Sequence, residues 1–392
     1  MDKKLDSVVI RLGGEIWVKK SWTKRWYLQR LVRNMKTALN HHNVTFSDLI
    51  RKNGRIFLRT CKALEAAARL SRVFGISSVS PALETGTRLE TIIDGCLSLA
   101  EELLEEGDGF AVRCRRVGKH PYTHQEVCAV VGRRILEKFT DHEVRVALDN
   151  PDVTLGIEIR HDLGFVFSSV VRGVGGFPLG VQGRLVGLLS GGLDSAVACW
   201  LVMKRGCPVV PLYFDCTPAD ESTKERAIEV ARVLSDWAIG FPRKLYTVNY
   251  ERSLKEIVEA SPRRLTCLFC KRLMYRVAER IADEVGAEGL VTGEAIGEQA
   301  SQTLRNLRVL DSAAVRYPVH RPLLGFNKAE TEALARRIGT YDVSARSVKG
   351  CKAAPYKPAT KARLEDVENA ESRLGVEEMV ERCLKELTVV DL

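Results

Sequence analysis

Short apolar strands alternate with helices throughout the second half of this chain. The patterns predict strands at 185–189, 209–214, 245–248 and 289–292, and helices at 193–204, 222–236, 271–285 and 329–338. Strands that are apolar along their whole length are typical of a parallel sheet covered by helices on both faces. The second half is therefore predicted to be a doubly wound parallel sheet.

The first half mixes strands and helices in a different pattern. A strand at 7–12 ends at Gly13-Gly14, and Leu28, Leu31 and Met35 share one face of a basic, aromatic helix. Interleaved bases and aromatics grip a phosphate backbone, but a helix with inward-packed aromatics has the same pattern. Residues 82–169 follow an α+β pattern, and the glycine-rich stretch at 173–183 is a linker candidate. We therefore expect domains at 1–80, 81–172 and 173–392.

Composition narrows the class of protein. The chain has 392 residues, of which 45% are hydrophobic, so wholesale disorder is excluded. No apolar run reaches the ~18–20 residues of a membrane span, and the N-terminus lacks a signal-peptide core, so we expect no membrane association. Eleven scattered cysteines indicate a reduced, cytoplasmic protein. A net charge of +10 favours a nucleic acid or another polyanion as partner, although a merely basic soluble protein has the same balance.

The most informative stretch is Ser190-Gly191-Gly192-Leu193-Asp194-Ser195, between a predicted strand and a predicted helix. Ligands of α/β sheets bind at such carboxyl strand ends. Two glycines let backbone N–H groups approach an anion, and the helix N-terminus favours negative charge. The stretch is neither a Walker loop nor a dinucleotide fingerprint. By spacing alone it is a phosphate site or a simple turn.

This stretch resembles the SGGxDS motif of the PP-loop ATP pyrophosphatases. Residues 291–304 (VTGEAIGEQASQTL), 321–328 (RPLLGFNK) and 338–340 are similar to the tRNA 4-thiouridine synthetases, the ThiI family. Residues 110–116 with 118–123 resemble its RNA-binding THUMP domain, and the Gly13-Gly14-Glu15 region resembles its ferredoxin-like domain. The resemblance implies an α/β multi-domain protein. It comprises a ferredoxin-like α+β domain, a THUMP α+β domain and a PP-loop domain of the adenine nucleotide α-hydrolase type.

The resemblance also implies the site residues. ATP would be bound with magnesium, and Asp194 would position the metal or the pyrophosphate. The implied nucleotide contacts are Leu188, Leu189, Ser190, Gly191, Gly192, Asp194, Ser195, Tyr213, Phe214, Lys271 (or its neighbour Arg272), Gly293 and Gln302. Core packing is the alternative for Tyr213 and Phe214. The candidates for tRNA contact, each of which also suits a solvated face, are Arg113, Arg115, Arg116, Lys119 and Arg133.

Cys351 and the pair Cys267 and Cys270 are candidates for a catalytic or metal-binding role. Cys351 matches the family's catalytic cysteine, and Lys349 and Lys352 favour its thiolate. Cys267-Leu268-Phe269-Cys270 leads into a basic helix and suits half a zinc site, a redox dithiol, an iron–sulfur anchor or two buried thiols. Cys216 is a substitute ligand. The remaining cysteines are expected in the core, namely Cys61, Cys96, Cys114, Cys128, Cys199, Cys207 and Cys383.

The chain departs from many family members at its end. About 30 residues follow Lys361, too few for the rhodanese domain whose persulfide delivers sulfur in many bacterial relatives. The resemblance to members without that domain implies that Cys267, Cys270 and Cys351 hold a 4Fe–4S cluster. Its fourth iron would be open to hydrosulfide.

The implied reaction is ATP-dependent. The enzyme would adenylate O4 of uridine 8 in tRNA, and sulfur would then displace AMP. Sulfide or a cysteine desulfurase product would be the donor, and a homodimer is compatible with the sequence. Two alternatives stay open: sulfur transfer for thiamine thiazole biosynthesis, and a non-catalytic RNA-binding protein.

Overall fold

The computed structural model describes residues 5–52, 54–216, 221–346 and 351–392. Lys349, expected beside Cys351, lies outside the described residues. The chain divides into two compact units, Met1–Pro178 and Leu179–Leu392. In the described part of the chain, no helix is both long and apolar enough to cross a membrane.

The first unit is a mixture of helices and strands. Its strands are β1 (Ser7–Leu12), β2 (Asp48–Lys52), β3 (Arg55–Arg59), β4 (Ile76–Glu84), β5 (Gly109–Val117), β6 (Arg145–Val146), β7 (Val153–Arg160), β8 (Leu163–Phe167) and β9 (Val171–Arg172). Its helices are α1 (Gly14–Trp17), α2 (Ser21–His41), α3 (Ala63–Leu70), α4 (Leu89–Leu103) and α5 (His124–Lys138).

Strand β4 joins the two halves of the first unit. The strand order is β2-β3-β1-β4-β8-β7-β5-β6, with β9 also paired to β4. Strand β4 is antiparallel to β1 through Ala82 and to β8 through Leu83 and Glu84. The expected boundary between 80 and 81 therefore falls inside a strand that both halves share. Phe57 and Phe165, one from each half, stack with ring centroids 4.5 Å apart in a shared core.

The basic, aromatic segment forms helix α2, which has features of both an inward-packed helix and a phosphate-binding surface. Leu28, Leu31 and Met35 are buried, as their spacing predicts. The aromatics divide between the two faces. Tyr27 is buried, whereas Trp22 and Trp26 are exposed.

The second unit alternates strands and helices. Its strands are β10 (Leu185–Leu188), β11 (Val209–Asp215), β12 (Lys244–Asn249), β13 (Leu290–Val291), β14 (Val319–His320) and β15 (Leu387–Asp391). Its helices are α6 (Leu193–Lys204), α7 (Glu221–Trp237), α8 (Glu251–Ala260), α9 (Thr266–Val285), α10 (Leu304–Asp311), α11 (Lys328–Ile338), α12 (Tyr341–Ser344), α13 (Leu364–Glu371) and α14 (Val376–Lys385).

The second unit has the predicted parallel sheet. The strand order is β14-β13-β10-β11-β12-β15, and all neighbours are parallel except β12 and β15. Val186, Leu212 and Leu290 are fully buried, which explains why these strands are apolar throughout. The order reverses its direction of growth at β10, so the carboxyl end of β10 lies at a topological switch point.

Two elements differ from what the sequence patterns predict. Helix α9 begins at Thr266, so Cys267 and Cys270 lie inside its first turns and not in a segment before it. Strand β15, for which no strand was predicted, follows α14 and pairs with β12 from Leu387↔Val248 to Asp391↔Lys244. The β-branched residues of β15 favour a strand, and the edge of β12 offers unpaired backbone groups.

Candidate functional site

The phosphate loop connects β10 to α6 at the switch point. Gly191 has a φ of +74°, in the left-handed region that glycine adopts without strain. A Cβ atom on Gly191 would lie 2.9 Å from the backbone nitrogen of Ala227 in α7. Both the backbone angle and the packing against α7 therefore require glycine at this position.

Two serines hold the loop closed. The Ser190 N–H donates to Oγ of Ser195 at 3.1 Å, and the Gly192 N–H donates to Oγ of Ser190 at 3.3 Å. The Ser195 hydroxyl also donates to the Gly192 carbonyl at 3.1 Å. No side chain caps the N-terminus of α6. Its first backbone N–H groups are therefore available to an anion, and the helix dipole favours one there.

The end of β13 packs directly on this helix start. A Cβ atom on Gly293 would lie 2.5 Å from the carbonyl carbon of Asp194 and 2.5 Å from the nitrogen of Ser195. Only glycine lets the two segments approach so closely. The structure thus brings Gly293 and the loop together, although about 100 residues separate them in sequence.

Asp194 lies in the first turn of α6 and is half-buried. Burial, together with the nearby charge of Glu298, raises the pKa of Asp194 to about 6 against the opposing charge of Lys328. A carboxylate held near a second negative charge gains from a cation. Mg²⁺ is typically bound by one or two carboxylates together with substrate phosphates, so Asp194 fits that metal.

A buried carboxylate orders the cations around Gly293. Oε1 of Glu294 accepts a hydrogen bond from Lys271 at 2.9 Å, and Oε2 accepts from Arg321 at 2.7 Å and from the Tyr275 hydroxyl at 2.8 Å. Burial raises the pKa of Glu294, but the charges of Lys271 and Arg321 outweigh it and lower the value to about 2. Glu294 therefore carries a charge throughout the physiological range and fixes both cations.

The two neighbouring cations Lys271 and Arg272 differ in their contacts and exposure. The side chain of Lys271 is 26% exposed, whereas that of Arg272 is 2% exposed. Arg272 donates to both carboxylate oxygens of Glu371 and to the hydroxyl of Ser312. Since Arg272 is committed to this buried network, Lys271 is the side chain that remains accessible.

The other predicted nucleotide residues are largely enclosed. Leu188 is half-buried, Leu189 is buried, and Gln302 is buried with its Oε1 accepting from the Gln299 N–H at 3.1 Å. Tyr213 and Phe214 are also buried, and the Phe214 ring contacts Tyr250 edge-on at 5.3 Å. The core-packing alternative thus describes the two aromatic rings in this structure.

Four cysteines influence one another electrostatically. Burial raises the pKa of Cys267, Cys270 and Cys216, and the charge of Cys351 raises each of these pKa values further. Cys351 is exposed, and the other three are partly buried. However, in the part of the chain that the structure describes, no group of three or more His, Cys, Asp or Glu side chains is arranged to hold a metal ion. Soft thiol donors are present together, but Cys267, Cys270 and Cys351 do not form a preassembled ligand set.

The remaining cysteines are mostly in the core. Cys96, Cys199 and Cys383 are buried, and Cys114, Cys128 and Cys207 are partly buried. The prediction was wrong for Cys61, which is exposed. Cys61 follows the end of β3, where alternation no longer places side chains toward the core.

Basic side chains line one face of the first unit. Arg115 pairs in register with the fully buried Glu158, and Arg11, Arg55 and Arg160 surround that carboxylate at 2.5–3.6 Å. The single negative charge of Glu158 is thus surrounded by several arginines, so this region has a net positive charge. Of the predicted RNA contacts, Arg113, Arg115, Lys119 and Arg133 are exposed. Arg116 is on the opposite face of β5 and donates to the Gly118 carbonyl at 3.1 Å.

Sequence reasoning missed three residues of this site. Glu294, Arg321 and Glu298 were quoted only as parts of similar segments, without a role. A signal was present for Glu294, because a lone acidic residue directly follows an apolar strand in Thr292-Gly293-Glu294. Arg321 and Glu298 had no such signal, since their neighbours come from distant segments.

Three family models match the chain in order. The ThiI ferredoxin-like domain matches residues 7–80, the THUMP domain matches 86–168, and the model described as thiamine biosynthesis protein (ThiI) matches 180–376. Together they span the α+β first unit and the parallel second unit, which confirms the predicted fold class.

Relatives and solved structures agree with these models. The chain is 40% identical to a probable tRNA sulfurtransferase of Methanosarcina acetivorans, over 98% of this chain and 94% of the relative. It is 36% identical to one of Caldanaerobacter subterraneus, over 98% and 99%. A crystal structure of a 4-thiouridine synthetase–RNA complex with bound ATP superposes with a TM-score of 0.88 at 30% identity, covering 98% of this chain and 99% of that one. The chain therefore belongs to the tRNA sulfurtransferase family, the ThiI family.

Proposed function

We propose that this protein is an ATP-dependent tRNA uridine 4-sulfurtransferase that makes 4-thiouridine at position 8. The observation that carries the proposal is the junction of the phosphate loop with Gly293, where an uncapped helix start meets the Lys271–Glu294 pair. A crystal structure similar over nearly the whole chain is a 4-thiouridine synthetase with RNA and bound ATP. Such an enzyme works in the cytoplasm, where tRNA and ATP are present.

In this proposal the loop binds the pyrophosphate part of ATP. The N–H groups at the start of α6 and the hydroxyls of Ser190 and Ser195 would contact its oxygens. Lys271 would supply a cation, held in place by Glu294. Magnesium would bind Asp194 and the phosphates, and the backbone of Tyr213 and Phe214 with Leu188 would border the adenine.

The chemistry follows from the poor leaving group on uridine. O4 of uridine attacks the α-phosphorus of ATP, pyrophosphate leaves, and O4 becomes an adenylate. A sulfur nucleophile then attacks C4, and AMP leaves with the original oxygen. Lys271, the α6 N-terminus and the magnesium held by Asp194 would stabilise the negative charge that develops on the departing pyrophosphate, and such electrostatic stabilisation is usually a large contribution to catalysis.

Cys351 would take part in sulfur transfer as a ligand of a metal cluster. We propose that Cys267 and Cys270 join Cys351 in holding a 4Fe–4S cluster; with three thiolate ligands, such a cluster leaves one iron open to hydrosulfide. The mutual influence of their charges supports the proposal. Sulfide or a cysteine desulfurase product would be the donor.

The first unit would bind tRNA through its basic face. Arg113, Arg115, Lys119 and Arg133 are exposed, and their contacts would go to the RNA backbone. Arg113 and Arg115 share the face of β5 that borders Glu158, whereas Arg133 belongs to α5. We further propose domains at 1–80, 81–172 and 173–392, which the family models for 7–80, 86–168 and 180–376 support. A homodimer remains a prediction.

Pyrophosphate release tests the adenylation step. We expect release from ATP that depends on added tRNA, and 4-thiouridine in that tRNA by mass spectrometry when sulfide is supplied. Replacement of uridine 8 by cytidine should abolish both. Release that is independent of tRNA would contradict the proposal, and no release would favour a non-catalytic RNA-binding protein.

Metal analysis tests the cluster separately. Protein purified without oxygen should contain iron and sulfide, which Cys267→Ala should lose and Cys61→Ala, an exposed control, should keep. Fully active protein that contains zinc or no metal would exclude the cluster without affecting the adenylation step.

The description of the matching family model also names thiamine biosynthesis. Sulfur transfer to thiazole synthesis is therefore the second candidate. A deletion strain that requires thiazole but retains 4-thiouridine in its tRNA would favour it over our first proposal.

A further inference from the structure

Helix α2 presents an apolar stripe to solvent. Trp22 and Trp26 lie four residues apart on this helix and are 77% and 37% exposed, and Val18, which precedes the helix, is 83% exposed. The rings of Trp22 and Trp26 stack, with centroids 6.2 Å apart and planes inclined by 27°. The opposite face of the helix supplies its packing through Leu28, Leu31 and Met35. The two indoles are therefore not needed to bury the helix.

The stripe lies in a strongly positive segment. From Ile16 to Ser47 the sequence contains no Asp or Glu. Its cations are Lys19, Lys20, Lys24, Arg25, Arg30, Arg33 and Lys36. Lys24 lies over the Trp17 ring at 5.8 Å, so some of these cations pack beside the aromatics. A polyanion is the partner that this charge favours.

Large exposed aromatics among cations suit unpaired nucleotides. An indole face stacks on a nucleobase of any sequence, and neighbouring Lys and Arg side chains neutralise the phosphates between stacked bases. A membrane surface also attracts basic helices with tryptophan, but it requires a broad apolar face. Here the stripe is one residue wide, and Arg25, Gln29 and Arg33 are exposed beside it.

We propose that Trp22 and Trp26 form a stacking platform for unpaired nucleotides of the RNA substrate. The inference rests on the proposed function, since it assumes that the RNA is tRNA. It goes further because it assigns the recognition of unpaired nucleotides to α2. The basic face, by contrast, would contact phosphates of paired and unpaired nucleotides alike.

Two RNAs separate stacking from charge. The full-length protein would be titrated with an RNA hairpin carrying a four-nucleotide 3′ overhang and with the same hairpin ending blunt. We expect the double variant Trp22→Ala/Trp26→Ala to bind the overhang RNA about tenfold or more weakly, since each stacked base contributes strongly to such affinities. Its affinity for the blunt hairpin should remain within about twofold.

Two controls identify the cause. Trp22→Phe/Trp26→Phe keeps aromatic faces and should retain most of the overhang preference. Lys36→Ala removes a cation about three turns further along α2 and should weaken the binding of both RNAs alike. Tryptophan fluorescence should be quenched by the overhang RNA in the wild-type protein and much less in the double alanine variant. Unchanged thermal melting would show that the variants fold.

Other outcomes would overturn the platform. Equal loss of both RNAs, or no loss, would refute stacking on these indoles. Tryptophan-dependent flotation with vesicles of phosphatidylglycerol would assign the stripe to a membrane surface. Tryptophan-dependent self-association in sedimentation, without an effect on RNA, would assign it to a second copy. A wild-type protein that binds no tRNA would contradict the proposed function itself. A result obtained only with the double alanine variant would bear on the stacking platform and not on the proposed function.

Discussion

At the scale of single residues, the site depends on close approach and on charge. Gly191 and Gly293 each allow a backbone to come within a distance that any Cβ atom would block. Asp194 is placed where its negative charge is costly until a cation arrives. These residues are useful because of what surrounds them, and each supports a direct test.

Gly293→Ala should damage nucleotide binding. The new Cβ atom would lie 2.5 Å from backbone atoms of Asp194 and Ser195, so the start of α6 must shift. We expect ATP affinity to fall about tenfold or more and stability to fall by roughly 1–3 kcal/mol. Calorimetric titration and urea unfolding measure the two effects. Gly325→Ala, with nothing within 4 Å of its Cβ position, is the matched control.

Asp194→Asn should separate catalysis from stability. The pKa of Asp194 is raised to about 6, so the folded state holds this proton more tightly than the unfolded chain does. The contribution of Asp194 to stability therefore falls as pH rises from about 4 to about 6. Asparagine should remove that decline and raise the melting temperature of nucleotide-free protein above pH 6.

The same variant should lose tRNA-dependent pyrophosphate release by about 100-fold or more, because it removes the carboxylate that would hold magnesium at the reacting phosphates. The exposed Asp149→Asn is the control for both measurements. A destabilised but active Asp194→Asn protein would contradict the role given to this carboxylate.

At the scale of elements, helix α9 organises the second unit. It carries Cys267 and Cys270 in its first turns, Lys271 toward the phosphate loop, and Arg272 into a buried ion pair with Glu371 of α13. Lys271 thus contributes to the site and Arg272 to the stability of the fold. Because Arg272 is much more buried than Lys271, loss of its ion pair should destabilise the protein more.

Glu371→Ala should destabilise the protein strongly. It would leave Arg272, 2% exposed at its side chain, without its carboxylate partner. Breaking a buried ion pair by removing one partner costs about 3–5 kcal/mol. The matched control is Glu381→Ala, which breaks the ion pair between Arg280 and Glu381 of α14. Because both of these side chains are about half exposed, the loss of stability should stay below about 1 kcal/mol. Equal urea midpoints for the two variants would refute this assignment.

Glu294→Gln should impair ATP use more than folding. The amide keeps the size of the side chain but no longer holds Lys271 and Arg321 by charge. We expect KM for ATP to rise about tenfold or more while tRNA affinity is unchanged. Asp311→Asn, which removes only the outer partner of Arg321, should have a small effect. A change in kcat alone would indicate that Glu294 does not position the lysine.

At the scale of the whole molecule, positive charge and chemistry occupy different units. The excess of cations is concentrated around Glu158 and along α2 in the first unit, whereas the phosphate loop and the cysteines lie in the second. Affinity for tRNA should therefore be determined largely by the first unit. Its dependence on salt follows from the number of phosphates that it neutralises.

Arg115→Ala should reduce that dependence. Removing one phosphate contact should lower the slope of log affinity against log salt concentration by about one and weaken binding for all RNA sequences alike. Lys138→Ala, whose charge is already paired with Glu101, should leave the slope unchanged. A loss that depends on RNA sequence would mean that Arg115 reads bases and not the backbone.

The sequence by itself determined the parallel sheet and the position of the phosphate loop, because apolar periodicity and glycine spacing are local properties. The family was indicated by the resemblance of several segments to known members. The sequence patterns predicted α9 from Lys271 and missed β15, because helix starts and edge strands depend on neighbours that are remote in sequence. Only the tertiary structure decided that Lys271 and not Arg272 faces the site, that Phe214 packs in the core, and that Trp22 and Trp26 point outward. Burial and charge pairing are relations between distant segments, and no local pattern contains them.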